Sequence, residues 1–175
     1  MIVAPTEIAG VFHVRLQPRG DARGYFARVY DVNELRRADP RFEIVQINRS
    51  LTQACGTVRG FHHQLAPRAE DKLVQCLRGA IFDVAVDLRP DSPTYRRWVA
   101  RELSAENHEM LLVPKGCAHG FQTLTDDTVV EYFVSEFYAP EQERGVRYDD
   151  PAIGVSWPLP VSSTSEKDAA WPLLP

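Results

Sequence analysis

The chain has 175 residues, enough to bury one substantial core, and its 44% hydrophobic and 25% charged residues are the balance of an ordinary folded domain. A formal charge of −4 and the lack of any basic run give no reason to expect a nucleic-acid partner, although local basic residues could bind a small phosphate ligand. No apolar run is long enough to span a bilayer, and the opening MIVAPTEIAG lacks the charged and apolar regions of a signal peptide. Cys55, Cys76 and Cys117, odd in number and widely spaced, fit reduced cytosolic thiols better than disulfides or a zinc site. A single cytoplasmic domain over residues 1–175 is the expectation.

In chain order, Val11–Leu16 alternates weakly and reads as a strand, followed by the turn-rich PRGDARG. Tyr25–Tyr30 resumes a β pattern. Asp31-Val-Asn-Glu34 resembles a capping box opening a short helix that must stop near Pro40. Glu43–Ile47 is a further strand. Then strands come thickly: Val58–Gln64, Lys72–Leu77, Ile81–Arg89, Trp98–Leu103, Glu109–Val113, His119–Leu124 and Val129–Val134. Gly and Pro turns such as Arg78-Gly79 and Pro114-Lys-Gly116 separate them, the signature of a sandwich or barrel. The Pro-rich remainder holds a second capping-box start, Ser165-Glu-Lys-Asp168.

Two polar centres interrupt this apolar chain. VRGFHHQLAPRAEDK (Val58–Lys72) carries an arginine, two adjacent histidines and a lysine, and VPKGCAHGF (Val113–Phe121) carries another histidine. Neighbouring residues of a strand point to opposite faces, so His62 and His63 cannot share one metal on a regular strand. Pro114-x-Gly116-x-x-His119 is similar to the second motif of metal cupins, but Thr123 stands where that motif has asparagine. The residues suit acid–base work better. A neutral imidazole can take a proton, a carboxylate behind it would hold the resulting cation, and a lysine such as Lys72 would steady an oxyanion. Tyr132, sharing its face with Val130 and Val134, would be a phenol among apolar neighbours. The implied reaction class is proton abstraction beside a carbonyl. Each residue also has a plainer reading: Tyr132 as a core tyrosine, Lys72 as a solvated strand lysine, Asp168 as the third residue of its helix, His119 as a turn residue.

Taken together, the chain resembles the nucleotide-sugar 3,5-epimerases typified by the dTDP-4-dehydrorhamnose 3,5-epimerase family. The resemblance is carried by Asp21-x-Arg23-Gly24-x-Phe26, Gln46-x-Asn48-x-Ser50, Arg59-Gly60-Phe61-His62-His63-Gln64, Lys72-Leu73-Val74 and Gly79-Ala-Ile-Phe-Asp83-Val-Ala-Val-Asp87-Leu-Arg89. It continues through Ser92-Pro93-Thr94, Pro114-x-Gly116-x-x-His119-Gly120-Phe121, Tyr132, Tyr138-x-Pro140, Asp150-Pro151, Trp157-Pro158 and Ser165-Glu-Lys-Asp168.

The resemblance implies an all-β, cupin-like jelly roll with a few short peripheral helices, working as a homodimer with N-terminal strands crossing to the partner. It implies no metal and no cofactor, and a nucleotide-diphosphate 4-keto-6-deoxyhexose as substrate, as in L-rhamnose-type biosynthesis. His62 backed by Asp168 would remove the proton at C3 (and C5), Lys72 would stabilise the enolate oxygen at C4, and Tyr132 would return a proton from the opposite face. Arg59 and His119 would hold sugar and diphosphate; Arg23, Phe26, Gln46, Asn48, Tyr138 and Glu143 would line the nucleotide side. Arg28 stands where the family commonly has a glutamate contacting the base, and suits a base edge rich in acceptors or an added phosphate. His63 stands where Tyr or Phe is usual. Strict alternation sets Arg59 and His62 on opposite faces, so both can reach one site only if Gly60 allows a bulge. A metal-dependent cupin enzyme and a non-catalytic nucleotide-sugar-binding jelly roll are the alternatives.

Overall fold

The computed structural model describes all 175 residues. Its strands are β1 (Ile2–Pro5), β2 (Phe12–Arg15), β3 (Arg19–Asp21), β4 (Gly24–Phe26), β5 (Gln46–Thr52), β6 (Val58–Gln64) and β7 (Lys72–Arg78). They continue as β8 (Ala80–Asp87), β9 (Trp98–Ser104), β10 (Glu109–Val113), β11 (Cys117–Thr123), β12 (Thr128–Val134) and β13 (Glu143–Gly145). Two single-turn helices, α1 (Val32–Leu35) and α2 (Glu166–Ala169), complete the list.

A six-stranded sheet in the order β1-β2-β10-β7-β12-β5 faces a five-stranded one in the order β13-β6-β11-β8-β9, and β3 with β4 makes a separate ribbon. Every strand pairing is antiparallel, as in a jelly roll. The apolar runs of the central strands are explained by burial on both faces. In β10, Leu111 and Val113 enter the inter-sheet core with Val74, Ile81, Ala85 and Val130. Met110 and Leu112 point the other way, into a cluster with Leu35 of α1, Phe42 and Phe133. Behind the small sheet, Phe61, Val84, Val86 and Ala118 pack under Trp157 and Ile153 of the C-terminal segment. Burying a side chain of this size contributes roughly 1.5–3 kcal/mol, so this packing anchors the irregular tail to the small sheet.

The expected strands from Val58 to Val134 all form, with ends differing by a residue or two. Two expectations need correction. Tyr25–Tyr30 is extended only as far as Phe26, because Ala27, Val29 and Tyr30 are apolar in order to pack on the Leu35–Phe42 cluster, outside any ladder. Glu43–Ile47 likewise gives way to a strand starting at Gln46, with Ile44 anchored on the same cluster. Asp31 does cap α1, its side chain accepting from the backbone N–H of Asn33 and Glu34.

Candidate active site

Between the sheets lie two adjoining cavities of about 370 Å³ and about 230 Å³. His62, Lys72 and Tyr132 border both, so the cavities are two chambers of one site divided by those side chains. Gln46, Asn48, Tyr138 and Glu143 line the larger chamber; Arg59, His119 and Asp168 line the smaller.

The imidazole and its carboxylate come from opposite ends of the chain. His62 Nε2 and Asp168 Oδ1 are 2.6 Å apart. Asp168 is 4% exposed and is presented by α2, where the Ser165 hydroxyl accepts the Asp168 N–H at 3.0 Å, while Gly60 N–H donates to Oδ2 at 3.2 Å. Thus Asp168 belongs to the cap through its backbone and to the site through its side chain; the two readings are compatible. Burial pushes its carboxyl up, but the hydrogen bond and charge of His62, with the Gly60 N–H, outweigh this and hold it below the usual range.

Gly60 also resolves the Arg59–His62 conflict. Four residues of β6, Arg59 to His62, lie opposite three of β11, Phe121 to His119, a bulge at Gly60 with φ of +121°. Arg59 therefore borders the same chamber as His62, its guanidinium donating to Thr52 Oγ1 at 2.9 Å and to the Leu51 carbonyl at 3.3 Å. His119 is oriented by buried Asp83, with Nε2 to Oδ1 at 2.7 Å.

Lys72 opens β7 with its ammonium 3.1 Å from Glu70 Oε1, both side chains nearly buried, and it donates to the His62 carbonyl at 3.4 Å. Burial raises the Tyr132 phenol above its ordinary range, the Glu70 charge adds to this, and Arg59 opposes it. The phenol is therefore protonated at neutral pH. His63 borders the larger chamber too, but no carboxylate meets it and its Nδ1 is buried without a partner.

Three expected substrate residues lie elsewhere within this chain. Arg23 and Phe26 sit on the β3–β4 ribbon, where Arg23 pairs with Asp21 and Phe26 is 68% exposed. Arg28 follows the ribbon and pairs with Asp31 at 3.2 Å. Residues that motif reasoning left without a role include Glu70, Asp83 and Lys167, whose ammonium is 2.6 Å from Glu143 Oε2. The signals were present: Glu70 and Lys72 are two apart in extended chain and so share a face, and Lys167 adjoins Asp168.

No three His, Cys, Asp or Glu side chains converge as metal ligands would, so the metal-cupin alternative has no ligand set. Fold and site together define a cupin-like jelly roll whose interior carries acid–base groups around a polar chamber. The family model described as dTDP-4-dehydrorhamnose 3,5-epimerase matches residues 5–175. The dTDP-4-dehydrorhamnose 3,5-epimerase of Sinorhizobium fredii is 51% identical over 168 residues, covering 95% of this chain and 86% of the relative. The chain belongs to this family and is an epimerase. The crystal structure of the Bacillus anthracis dTDP-4-dehydrorhamnose 3,5-epimerase, with TDP and PPi bound, matches with a TM-score of 0.95 at 42% identity over 99% of each chain. That of the Legionella pneumophila dTDP-6-deoxy-D-glucose-3,5-epimerase, in complex with dTDP-4-keto-L-rhamnose, matches with a TM-score of 0.92 at 36% identity, covering 98% of this chain and 92% of that one.

Proposed function

We propose that this chain epimerises a nucleotide-diphosphate 4-keto-6-deoxyhexose of the dTDP-4-dehydro-6-deoxyglucose type, inverting C3, C5 or both for L-rhamnose-type deoxysugar synthesis in the cytoplasm. The observation that carries the reading is the 2.6 Å His62–Asp168 pair in one site with Lys72 and a protonated Tyr132. A C–H beside a ketone is a weak acid, and it is lost only if the electron pair it leaves is accommodated. The His62 nitrogen not engaged with Asp168 takes the proton, and the C–H pair becomes the C=C bond of an enolate. Its negative oxygen at C4 is met by the Lys72 ammonium, and Asp168 offsets the imidazolium charge. Tyr132 then delivers its phenolic proton to the same carbon from the other face, inverting it. Exchange with water resets imidazolium and phenolate. Arg59 and His119 would grip the sugar and diphosphate, while Gln46, Asn48, Tyr138 and Glu143 extend the larger chamber toward the nucleotide.

The homodimer belongs to this reading. Because β1 and β2 ladder onto the chain's own β10, the segment left to cross is the β3–β4 ribbon, with Arg23, Phe26 and then Arg28 reaching the partner's nucleotide.

The test is incubation in D₂O with 4-keto nucleotide sugars on several bases, read by mass and NMR. His62→Ala should cut exchange at C3 by about 10²–10⁴-fold, the usual worth of a general base. Tyr132→Phe should retain exchange but lose inversion by a similar factor. Wild-type inversion in either variant removes that residue from the mechanism.

A further inference from the structure

Glu70 has no part in the proton transfers just described, yet it occupies the wall of the larger chamber beside the two groups that must stay charged and uncharged respectively. One carboxylate oxygen is 3.1 Å from Lys72 Nζ, and the other accepts from Gln64 Nε2 at 3.4 Å. Its side chain is 11% exposed and that of Lys72 12% exposed. An ion pair this sheltered from water is screened little, and its field reaches across the chamber.

We propose that Glu70 is a positioning residue for epimerisation: its carboxylate fixes the Lys72 ammonium against the chamber wall and sets a negative charge in the chamber into which the Tyr132 phenol donates its proton. The inference rests on the acid and enolate roles given above to Tyr132 and Lys72, and it adds a residue to which neither role belongs. Geometry explains why the position is effective. Glu70 lies in the β6–β7 connection, two residues before Lys72 opens β7, and Val134 of β12, two residues past Tyr132, pairs with Lys72. Ammonium and phenol therefore share one inner face of the large sheet, and the Glu70 carboxylate meets that face through its contact with Lys72.

The other charges around the phenol set the balance. Arg59 of β6 favours the phenolate, and burial together with Glu70 opposes it. His62 and His63 on β6 and His119 on β11 face the same two chambers, as do Glu143 from β13 and the Lys167–Asp168 pair from α2. On β5 the residue opposite Tyr132 is the uncharged Asn48. Burial does most to disfavour the phenolate, and the Glu70 carboxylate adds to it.

The experiment compares the full-length protein with Glu70→Gln, which keeps size and hydrogen bonding, and Glu70→Asp, which keeps charge. The Tyr132 titration is read directly as the ultraviolet tyrosinate signal lost in Tyr132→Phe. In Glu70→Gln it should move to lower pH by about one unit, a tenfold rise in phenolate at a given pH. The alkaline limb of kcat should move with it, while KM changes less. Glu70→Asp should retain the wild-type titration, and it serves as the charge-bearing comparison if the glutamine variant folds poorly. A Tyr132 titration unchanged in Glu70→Gln, or displaced equally in Glu70→Asp, overturns the proposal. The titration needs no turnover, so it is decided separately from the roles of His62 and Tyr132 in catalysis.

Discussion

His63 sits in a wall of cations. Burial pushes its imidazole down to about 4, and the charges of Lys72, Arg144 and His62 add to the effect. An unfolded chain titrates the same ring near ~6.5, so the unfolded state takes up the proton first as pH falls. The contribution to stability is therefore complete above pH ~6.5, declines toward about 4, and changes no further below that. Its full size is on the order of 3 kcal/mol, reduced by the solvent that still reaches the ring. His63→Phe should melt higher than the parent at pH 5, by about 2–4 °C per kcal/mol recovered, with a smaller gain at pH 8. Calorimetry showing an equal gain at both values would contradict this. The same residue marks what a sequence shows at this scale. The acid–base residues were legible because their types and order matched a family pattern. The orphaned Nδ1 of His63 and the Asp83 support behind His119 were not, since a motif records which residues occur and not which atoms meet.

Among the elements, β5 and β6 depart most from simple patterning, and both do so because of the site. β5 is polar inward and apolar outward: Gln46 and Asn48 line the chamber, while Ile47 and Leu51 are 57% and 51% exposed. Read by polarity alone, that inverts the usual sense of a half-buried strand, which is why only its first residues were anticipated. The central strands were easier, since two-sided burial leaves runs such as MLLV and short turns between them. In β6 the irregularity is the bulge, and it depends on a missing side chain. A Cβ on Gly60 would lie 2.5 Å from the Gly120 Cα, in a backbone region with φ of +121° that side chains rarely adopt. Gly60→Ala should cost about 2–4 kcal/mol in urea unfolding, and kcat should fall as the bulge shifts the Gly60 N–H away from Asp168. An unchanged midpoint with full activity would show that the bulge tolerates a methyl group.

For the whole molecule, the edge strand β5 and the ribbon both carry exposed apolar side chains. Ile47, Leu51, Tyr25 and Phe26 are each more than half exposed, and an open edge strand carrying such residues is a liability unless something covers it. A second copy covering them is the reading that agrees with the homodimer proposed above. Ile47→Asp combined with Leu51→Asp should then weaken the dimer by at least about 10-fold, since each buried aliphatic contributes roughly 1.5–3 kcal/mol. Sedimentation velocity across a dilution series would detect it; a parent protein that sediments as a monomer throughout would rule out the assembly.

The His62–Asp168 contact joins positions 106 residues apart, and α2 is held over β6 by a bridge from Thr57 to Ser163 and by Val58 N–H donating to the Ser163 carbonyl. During translation both sheets are made before the segment that brings the carboxylate. Until that last stretch wraps across the smaller sheet, the imidazole lacks the carboxylate that lies 2.6 Å from it in the finished fold. Under the roles proposed above, a nascent chain, or one with a frayed end, is thus a container whose base still lacks its partner carboxylate.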